Sequence, residues 1–335
     1  IGWCDWSSDV CSSDLSGKTL RCELCPHHCA IVDSETGLCR SRMNVAGTMY
    51  AVNYARAAAI ALDPIEKKPL YHYHPGSRIL SLGPNSCNLH CKFCQNYQIS
   101  QFEAPTQEIS IEALRSAIDQ YTPGTPRIAF TYTEPLTWYE YILDFAQHYP
   151  EVEIVLITNG YLNEAPFKEL LPLISALNID LKGMQEFFYR DYCGGDLQTV
   201  LTNIEECVNQ GKHLELTLLL IPGLNDAKAD ILAMAEFINA LNPDMPLHIS
   251  AYHPSYQMTN HATGFDDVKR AINLTKAKLS YVYGGNLGSD DFTHTNCKNC
   301  GKVIVSRTYS SIRFQVTGVG KCPHCGTDIY GVYEK

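Results

Sequence analysis

Cys87-Asn-Leu-His-Cys91-Lys-Phe-Cys94 sets three thiols on one loop at C-x3-C-x2-C spacing. A [4Fe–4S] cluster normally takes four Cys thiolates. Three on one short loop, with no fourth nearby, leave one iron open to a chelating ligand. The competing reading is a zinc knuckle that borrows His90 as its fourth ligand. A strand expected at residues 79–82, feeding directly into the loop, and the motifs downstream favour the cluster.

Two further thiol groups flank this loop. Near the C-terminus, Cys297-Lys-Asn-Cys300-Gly301 and Cys322-Pro-His-Cys325-Gly326 form paired C-x2-C knuckles with 21 residues between the inner cysteines. Four thiolates fill a tetrahedral shell, so this set reads as a structural zinc site resembling a zinc ribbon. The glycine after each knuckle suits a positive-φ turn. Towards the N-terminus, Cys22, Cys25, Cys29 and Cys39 supply four thiolates, with His27 and His28 as possible substitutes. Zinc and an auxiliary iron–sulfur cluster fit that set equally well. Cys207 reads as a small core hydrophobe, and Cys193, beside Gly194-Gly195, as a plain loop thiol.

Composition bounds the rest. The 335 residues are 45% hydrophobic, enough for a large core, and the charge is −10, from 26 Lys+Arg against 36 Asp+Glu. That balance argues against nucleic acid and for a small-molecule or protein substrate. No run approaches the ~18 apolar residues of a membrane helix. The 15 cysteines fall mostly into tight groups with no secretory signal pattern before them, so thiolates on metals in the reducing cytoplasm are expected rather than disulfides. Residues 1–15, with Cys4 and Cys11, resemble translated sequencing-adapter sequence or a disordered terminus, and are set aside.

The elements that must position these groups fall into three sections: an N-terminal Cys-rich metal module at 20–75, a core at 78–285 and the zinc-ribbon-like module at 295–335. In the core, strand signals at 79–82, 127–131, 153–158, 177–181, 214–221 and 247–252 alternate with helical patterns. One helix face carries Val200, Leu201, Ile204, Cys207 and Val208, and another Ile231, Ala235, Ile238 and Leu241. Alternating β and α of this kind predicts a parallel sheet, and six units suit an open, partial (β/α)6 barrel with its functional residues at the C-terminal strand ends.

The loop, with aromatic Phe93 before Cys94, resembles the radical S-adenosylmethionine (SAM) signature. The chain resembles the pyruvate formate-lyase-activating-enzyme-like group, and within it the radical SAM member of the AmmeMemoRadiSam system. The matching stretches are residues 21–29 (Arg-Cys-Glu-Leu-Cys-Pro-His-His-Cys), 63–70 (Asp-Pro-Ile-Glu-Lys-Lys-Pro-Leu), Cys94-Gln95-Asn96 and Tyr132-Thr133-Glu134-Pro135. The resemblance implies a radical SAM barrel and a cluster on Cys87, Cys91 and Cys94 whose open iron chelates SAM. It implies SAM contacts from Phe93, Gln95, Thr133, Glu134, Thr158, Asp180, Lys182 and His253, with no catalytic residue assigned beyond the cluster. Tyr132 and Thr133 stand where activating enzymes carry glycines before the Glu. Glu134-Pro135 also reads as a helix start, Asp180–Lys182 as a surface ion pair, and His248 as structural. The resemblance further implies an electron donor such as flavodoxin or ferredoxin. It leaves two substrates open: modification together with Memo-like and Amme-type partner proteins, or activation of a glycyl-radical enzyme. Two rival readings stay open at this point. One is a non-catalytic binding protein with zinc in all three thiol groups; the other is modification of RNA, which the charge disfavours.

Overall fold

The computed structural model describes residues 2–3, 11–13, 19–308, 311–317 and 320–333. Cys4 and most of residues 1–15 lie outside the described residues. Within that stretch, Gly2 and Trp3 pair with Ala51 and Tyr50, and residues 11–13 pair with 20–22.

A nine-stranded sheet organises the chain: β1 (Arg56–Pro64), β2 (Arg78–Pro84), β3 (Gln107–Glu108), β4 (Arg127–Phe130), β5 (Glu153–Thr158), β6 (Ala176–Asp180), β7 (His213–Leu220), β8 (Leu247–Ala251) and β9 (Val282–Gly285). Their spatial order is β9-β8-β7-β6-β5-β4-β2-β1-β3. From β2 to β9 every neighbouring pair is parallel, while β1 runs antiparallel to β2 and to β3. Strands such as Glu-Ile-Val-Leu-Ile-Thr in β5 are apolar on both faces because helices cover the sheet. These include α1 (Ile111–Tyr121), α2 (Tyr139–His148), α3 (Glu164–Leu170), α4 (Leu197–Asn209), α5 (Lys228–Leu241) and α6 (Phe265–Thr275). The Ser110 hydroxyl caps α1 and the Asp196 carboxylate caps α4, each accepting a backbone N–H of the first turn. Val200, Ile204 and Cys207 bury the inner stripe of α4.

The parallel run holds seven strands, not the six expected. The seventh, β9, ends in Gly284-Gly285, a composition that argues against a strand. The glycine is needed there because a Cβ on Gly285 would sit 2.8 Å from Ser250 Oγ. The sequence also hides β1, whose Arg-Ala-Ala-Ala-Ile-Ala run favours helix locally; pairing with β2 overrides that preference.

At the N-terminal ends of the strands, residues 69–74 cross beneath the sheet, held by Glu215 of β7. This carboxylate is fully buried and accepts from the backbone N–H groups of Tyr71 (3.0 Å) and His72 (2.7 Å), and from His213 (3.1 Å) and His248 (2.7 Å). Burial opposes its charge, but these donors outweigh that and hold its carboxyl well below the usual range. The C-terminal section docks on the same end. His72 bonds Tyr330 O and Tyr283 Oη at 2.6 Å each, and Arg307 reaches Tyr71 O at 2.6 Å.

Candidate active site

Opposite that lock, the C-terminal ends of the strands open into a cavity of about 630 Å³, within the usual range for a cofactor-sized ligand. Cys87, Cys91 and Cys94 line it, on the loop after β2. The loop is pinned from outside: Cys193 O and Tyr192 O accept the N–H groups of His90 (2.8 Å) and Lys92 (2.9 Å), and Ser255 Oγ donates to Cys94 O (3.2 Å). Two of the three sulfurs have polar company. Leu89 N lies 3.4 Å and Asn159 Nδ2 3.8 Å from Cys87 Sγ, and Ser100 Oγ lies 3.2 Å from Cys94 Sγ. Phe93 turns away from solvent and stacks on Phe188, ring centres 5.6 Å apart.

Cys193 is not a plain loop thiol. It is fully buried at the end of the π-helical turn Tyr189–Cys193, where its thiol interacts electrostatically with that of Cys91. Single π turns of this kind recur at functional sites. The neighbouring Gly194-Gly195 obscured this in the sequence, because a flexible tip and a packed turn look alike there.

Glu134 sits at the start of the loop after β4. Its Oε1 accepts from Thr158 Oγ1 (2.6 Å) and Leu136 N (3.0 Å), and its Oε2 from Asn159 N (2.7 Å). It therefore caps the turn Pro135–Trp138 and also forms cavity wall. Three of about four acceptor positions on the carboxylate are filled, leaving one on Oε2. Burial pushes its carboxyl up to about 7 despite these bonds. Tyr132, two residues before it, has φ +70°, the conformation glycine adopts freely and a tyrosine at a cost of about 1–2 kcal/mol. Its hydroxyl donates to Asp63 Oδ2 (2.7 Å), and Lys68, 2.8 Å from the same oxygen, lies over its ring. The backbone there packs so closely on β2 that a Cβ on Gly83 would meet Thr131 O at 2.2 Å.

Asp180 ends β6, Lys182 follows it, and the two pair at 2.9 Å on the cavity wall rather than the open surface. Burial opposes a charge on Lys182, yet Asp180 and the sulfurs of Cys91 and Cys193 prevail and hold its ammonium well above the ordinary lysine range. Asn225, from the Pro-Gly turn after β7, fixes the Lys182 backbone by donating to its carbonyl (2.8 Å). Thr133, Thr158 and Gln95 also line the cavity. His253 stands at the rim rather than in the wall, with Nδ1 3.2 Å from Gln95 Nε2, and His248 lies at the other end against Glu215. Sequence reasoning assigned no role to Asp63, Lys67, Lys68, Asn96 or Asn159, all of them wall residues. The only signal for the first three was their place in the 63–70 stretch.

A model of the Radical SAM superfamily matches residues 83–238. An uncharacterised protein of Methanocaldococcus jannaschii is 36% identical over 325 residues, covering 94% of this chain and 96% of its own length. The chain belongs to the radical SAM superfamily. This radical SAM protein is therefore an enzyme, with a [4Fe–4S] cluster and SAM as its cofactors. That removes the reading as a non-catalytic zinc-stabilised binding protein. The pyruvate formate-lyase-activating enzyme of Staphylococcus epidermidis is 22% identical over 191 residues, 53% of this chain and 76% of that protein. A radical SAM methyltransferase from Sphaerobacter thermophilus shares the fold, with a TM-score of 0.51 at 14% identity over 82% of this chain and 75% of that one. The donor set fits the cofactors: Cys87, Cys91 and Cys94 would hold the cluster, and the cavity walls carry both signs of charge for a zwitterionic ligand. When bound, cluster and SAM supply one-electron reductive cleavage of the sulfonium to a 5′-deoxyadenosyl radical. No helix among the described residues is long and apolar enough to cross a membrane.

The C-terminal thiols come together as a fourfold set. Cys297 and Cys325 sulfurs lie 3.6 Å apart, Cys300 and Cys322 3.8 Å, and all four lie within 4.8 Å of one another. Gly301 and Gly326 have φ +70° and +74°, the turns that close each knuckle around its sulfurs. The four thiols could together hold one metal ion, on the side of the molecule away from the cavity.

Proposed function

We propose that this enzyme abstracts hydrogen from a protein or small-molecule substrate in an AmmeMemoRadiSam-type modification system. Memo-like and Amme-type proteins are its partners, and a flavodoxin or ferredoxin its electron donor. The observation that carries the reading is convergence: residues of the 63–70, 94–96 and 132–135 stretches, far apart in sequence, border one cavity with the three cysteines. In this reading Glu134 takes the SAM ammonium on its open Oε2 position. Lys182 pairs with the SAM carboxylate and Asp180 accepts ribose hydroxyls. Thr158 and Asn159 hold Glu134 in place, the Thr133 backbone and Gln95 complete the wall, Phe93 packs the loop, and His253 closes the rim.

A second reading, activation of a glycyl-radical enzyme, is favoured by the likeness to the Staphylococcus epidermidis activating enzyme. Against it, Tyr132 occupies in a left-handed conformation a place where activating enzymes carry glycine. The deciding experiment uses anaerobically reconstituted, reduced enzyme with deuterated candidate partners. Formation of 5′-deoxyadenosine that is lost in Cys91→Ala, with deuterium arriving from a Memo-like or Amme-type protein, supports the proposal. Deuterium arriving solely from a glycyl-radical enzyme overturns it in favour of the second reading. Absence of 5′-deoxyadenosine under every condition overturns both.

A further inference from the structure

We infer that Cys22, Cys25, Cys29 and Cys39 hold a second iron–sulfur cluster, in a pocket that Asn88 of the active-site loop borders. The C-terminal tetrad is an internal standard for the alternative. Bonds of 2.3 Å at tetrahedral angles set sulfurs about 3.8 Å apart around one zinc ion, and that tetrad shows 3.6 and 3.8 Å. The four N-terminal cysteines also meet, lining one narrow pocket. Yet among the described residues it is the C-terminal set whose three or more ligand atoms lie within 4.8 Å of one another, and the N-terminal set does not. A cubane holds one thiolate beyond each of its iron corners and so keeps the sulfurs farther apart than a single ion does. Cys87, Cys91 and Cys94 share this wider arrangement, and there the family requires a cluster.

The pocket suits an anionic cluster in other respects. Leu24, Ile31 and Leu136 supply apolar wall, and the guanidinium of Arg42, buried at 1% exposure and ion-paired with Glu140 (2.7 Å), borders it. Leu38 N–H points at Cys29 Sγ (3.5 Å) and Ser41 Oγ lies 3.0 Å from Cys39 Sγ, polar contacts of the kind that tune cluster potentials. The two nearby histidines are engaged elsewhere: His27 Nε2 with Asn88 O (2.7 Å) and His28 Nδ1 with Glu23 (2.6 Å). Ligation therefore falls to the four thiols.

Position gives the site its role. Asn88 forms part of this pocket's wall, while its neighbours Cys87 and Leu89 line the active-site cavity. Asn159 Nδ2 joins the two sides, 2.9 Å from Asn88 Oδ1 and 3.8 Å from Cys87 Sγ. A low-potential one-electron protein donor would reduce the second cluster, which returns to its oxidised state on passing that electron to the loop cluster. This relay rests on the radical SAM reading; the presence of the second cluster does not.

The test is metal and sulfide content of full-length protein reconstituted anaerobically with iron, sulfide and zinc, together with electron paramagnetic resonance after reduction. Two four-iron clusters and the C-terminal tetrad give about eight iron, eight sulfide and one zinc per chain. The Cys87→Ala/Cys91→Ala/Cys94→Ala variant keeps about four iron, with a signal that SAM leaves unchanged. The Cys25→Ala/Cys39→Ala variant loses about four iron and keeps the signal that SAM perturbs. Wild-type protein with about four iron and two zinc overturns the inference without recourse to any variant. So does a triple variant that binds zinc and no iron. A full iron count with no 5′-deoxyadenosine would instead leave the second cluster standing and sink the catalytic reading.

Discussion

Glu134→Gln separates a cofactor-binding carboxylate from a helix-capping one. The amide oxygen can take the place of Oε1 and keep the Thr158 hydroxyl and Leu136 N–H. The amide nitrogen then faces Asn159 N–H donor to donor, and the open acceptor position is gone. A hydrogen bond between charged partners contributes about 1.5–3 kcal/mol, so SAM affinity should fall roughly 10- to 150-fold. Stability should hardly change. Burial raises the Glu134 carboxyl from 4.5 to about 7. Between those values the folded protein binds a proton that the unfolded chain has released. Stability therefore falls as pH rises across this window, by about 3 kcal/mol in total, and the cost is present in full above it. A neutral glutamine escapes that cost. At pH 8 the loss of the Asn159 bond and the relief of a buried charge nearly cancel, leaving the urea midpoint within about 1 kcal/mol of wild type. The assay pairs equilibrium SAM binding to reconstituted protein with urea denaturation and iron content at pH 8. Unchanged SAM affinity would refute the role in binding. A collapse in stability with loss of iron would show that Glu134 serves the fold alone.

Removing the lock beneath the sheet should be far more damaging. Glu215→Ala strands two backbone N–H groups and two imidazoles in the core and should cost roughly 3–5 kcal/mol, read as a lower urea midpoint. A midpoint unchanged within error would show that the site repacks or hydrates freely. Glu153 is depressed to about 2: burial opposes its charge, but His74 and Arg127 outweigh it. Its contribution is present above pH 4.5 and lost as pH falls towards 2, so Glu153→Gln should flatten the acid limb of the stability profile, followed by circular dichroism. Chelation should release about one zinc from the C-terminal tetrad and loosen the residues around it before the central sheet, seen as early amide exchange in residues 295–308. Cys193→Ala removes a buried thiol that interacts with the Cys91 thiol and should shift the potential of the loop cluster while leaving its iron content intact, measured by redox titration.

Local spacing made the metal chemistry legible. C-x3-C-x2-C and each C-x2-C are short enough that the covalent chain alone decides which sulfurs lie together, while folding brings the two C-x2-C pairs to one place. The strand-end residues Glu134, Thr158, Asp180 and Lys182 were legible for a related reason. Parallel strands joined by helices place all their C-terminal ends on one side, so position along each strand predicts meeting in space. Where strand signals conflicted with composition, as in the Ala-rich β1 and the Gly-Gly end of β9, pairing with a neighbour decided the outcome.

By itself, then, the sequence determined the three thiol groups, the alternating α/β core and the end of the sheet where chemistry would occur. Only the tertiary structure decided which distant groups touch. It brought the Cys193 thiol into interaction with that of Cys91, 102 positions away, gathered Tyr71, His72, His213 and His248 on Glu215, and set Asn88 in the wall of the N-terminal thiol pocket while its neighbours Cys87 and Leu89 line the active-site cavity. Such contacts depend on how side chains from separate loops fill the same buried space. The pattern of any one segment does not encode that, because burial and hydrogen-bond satisfaction are properties of the packed whole.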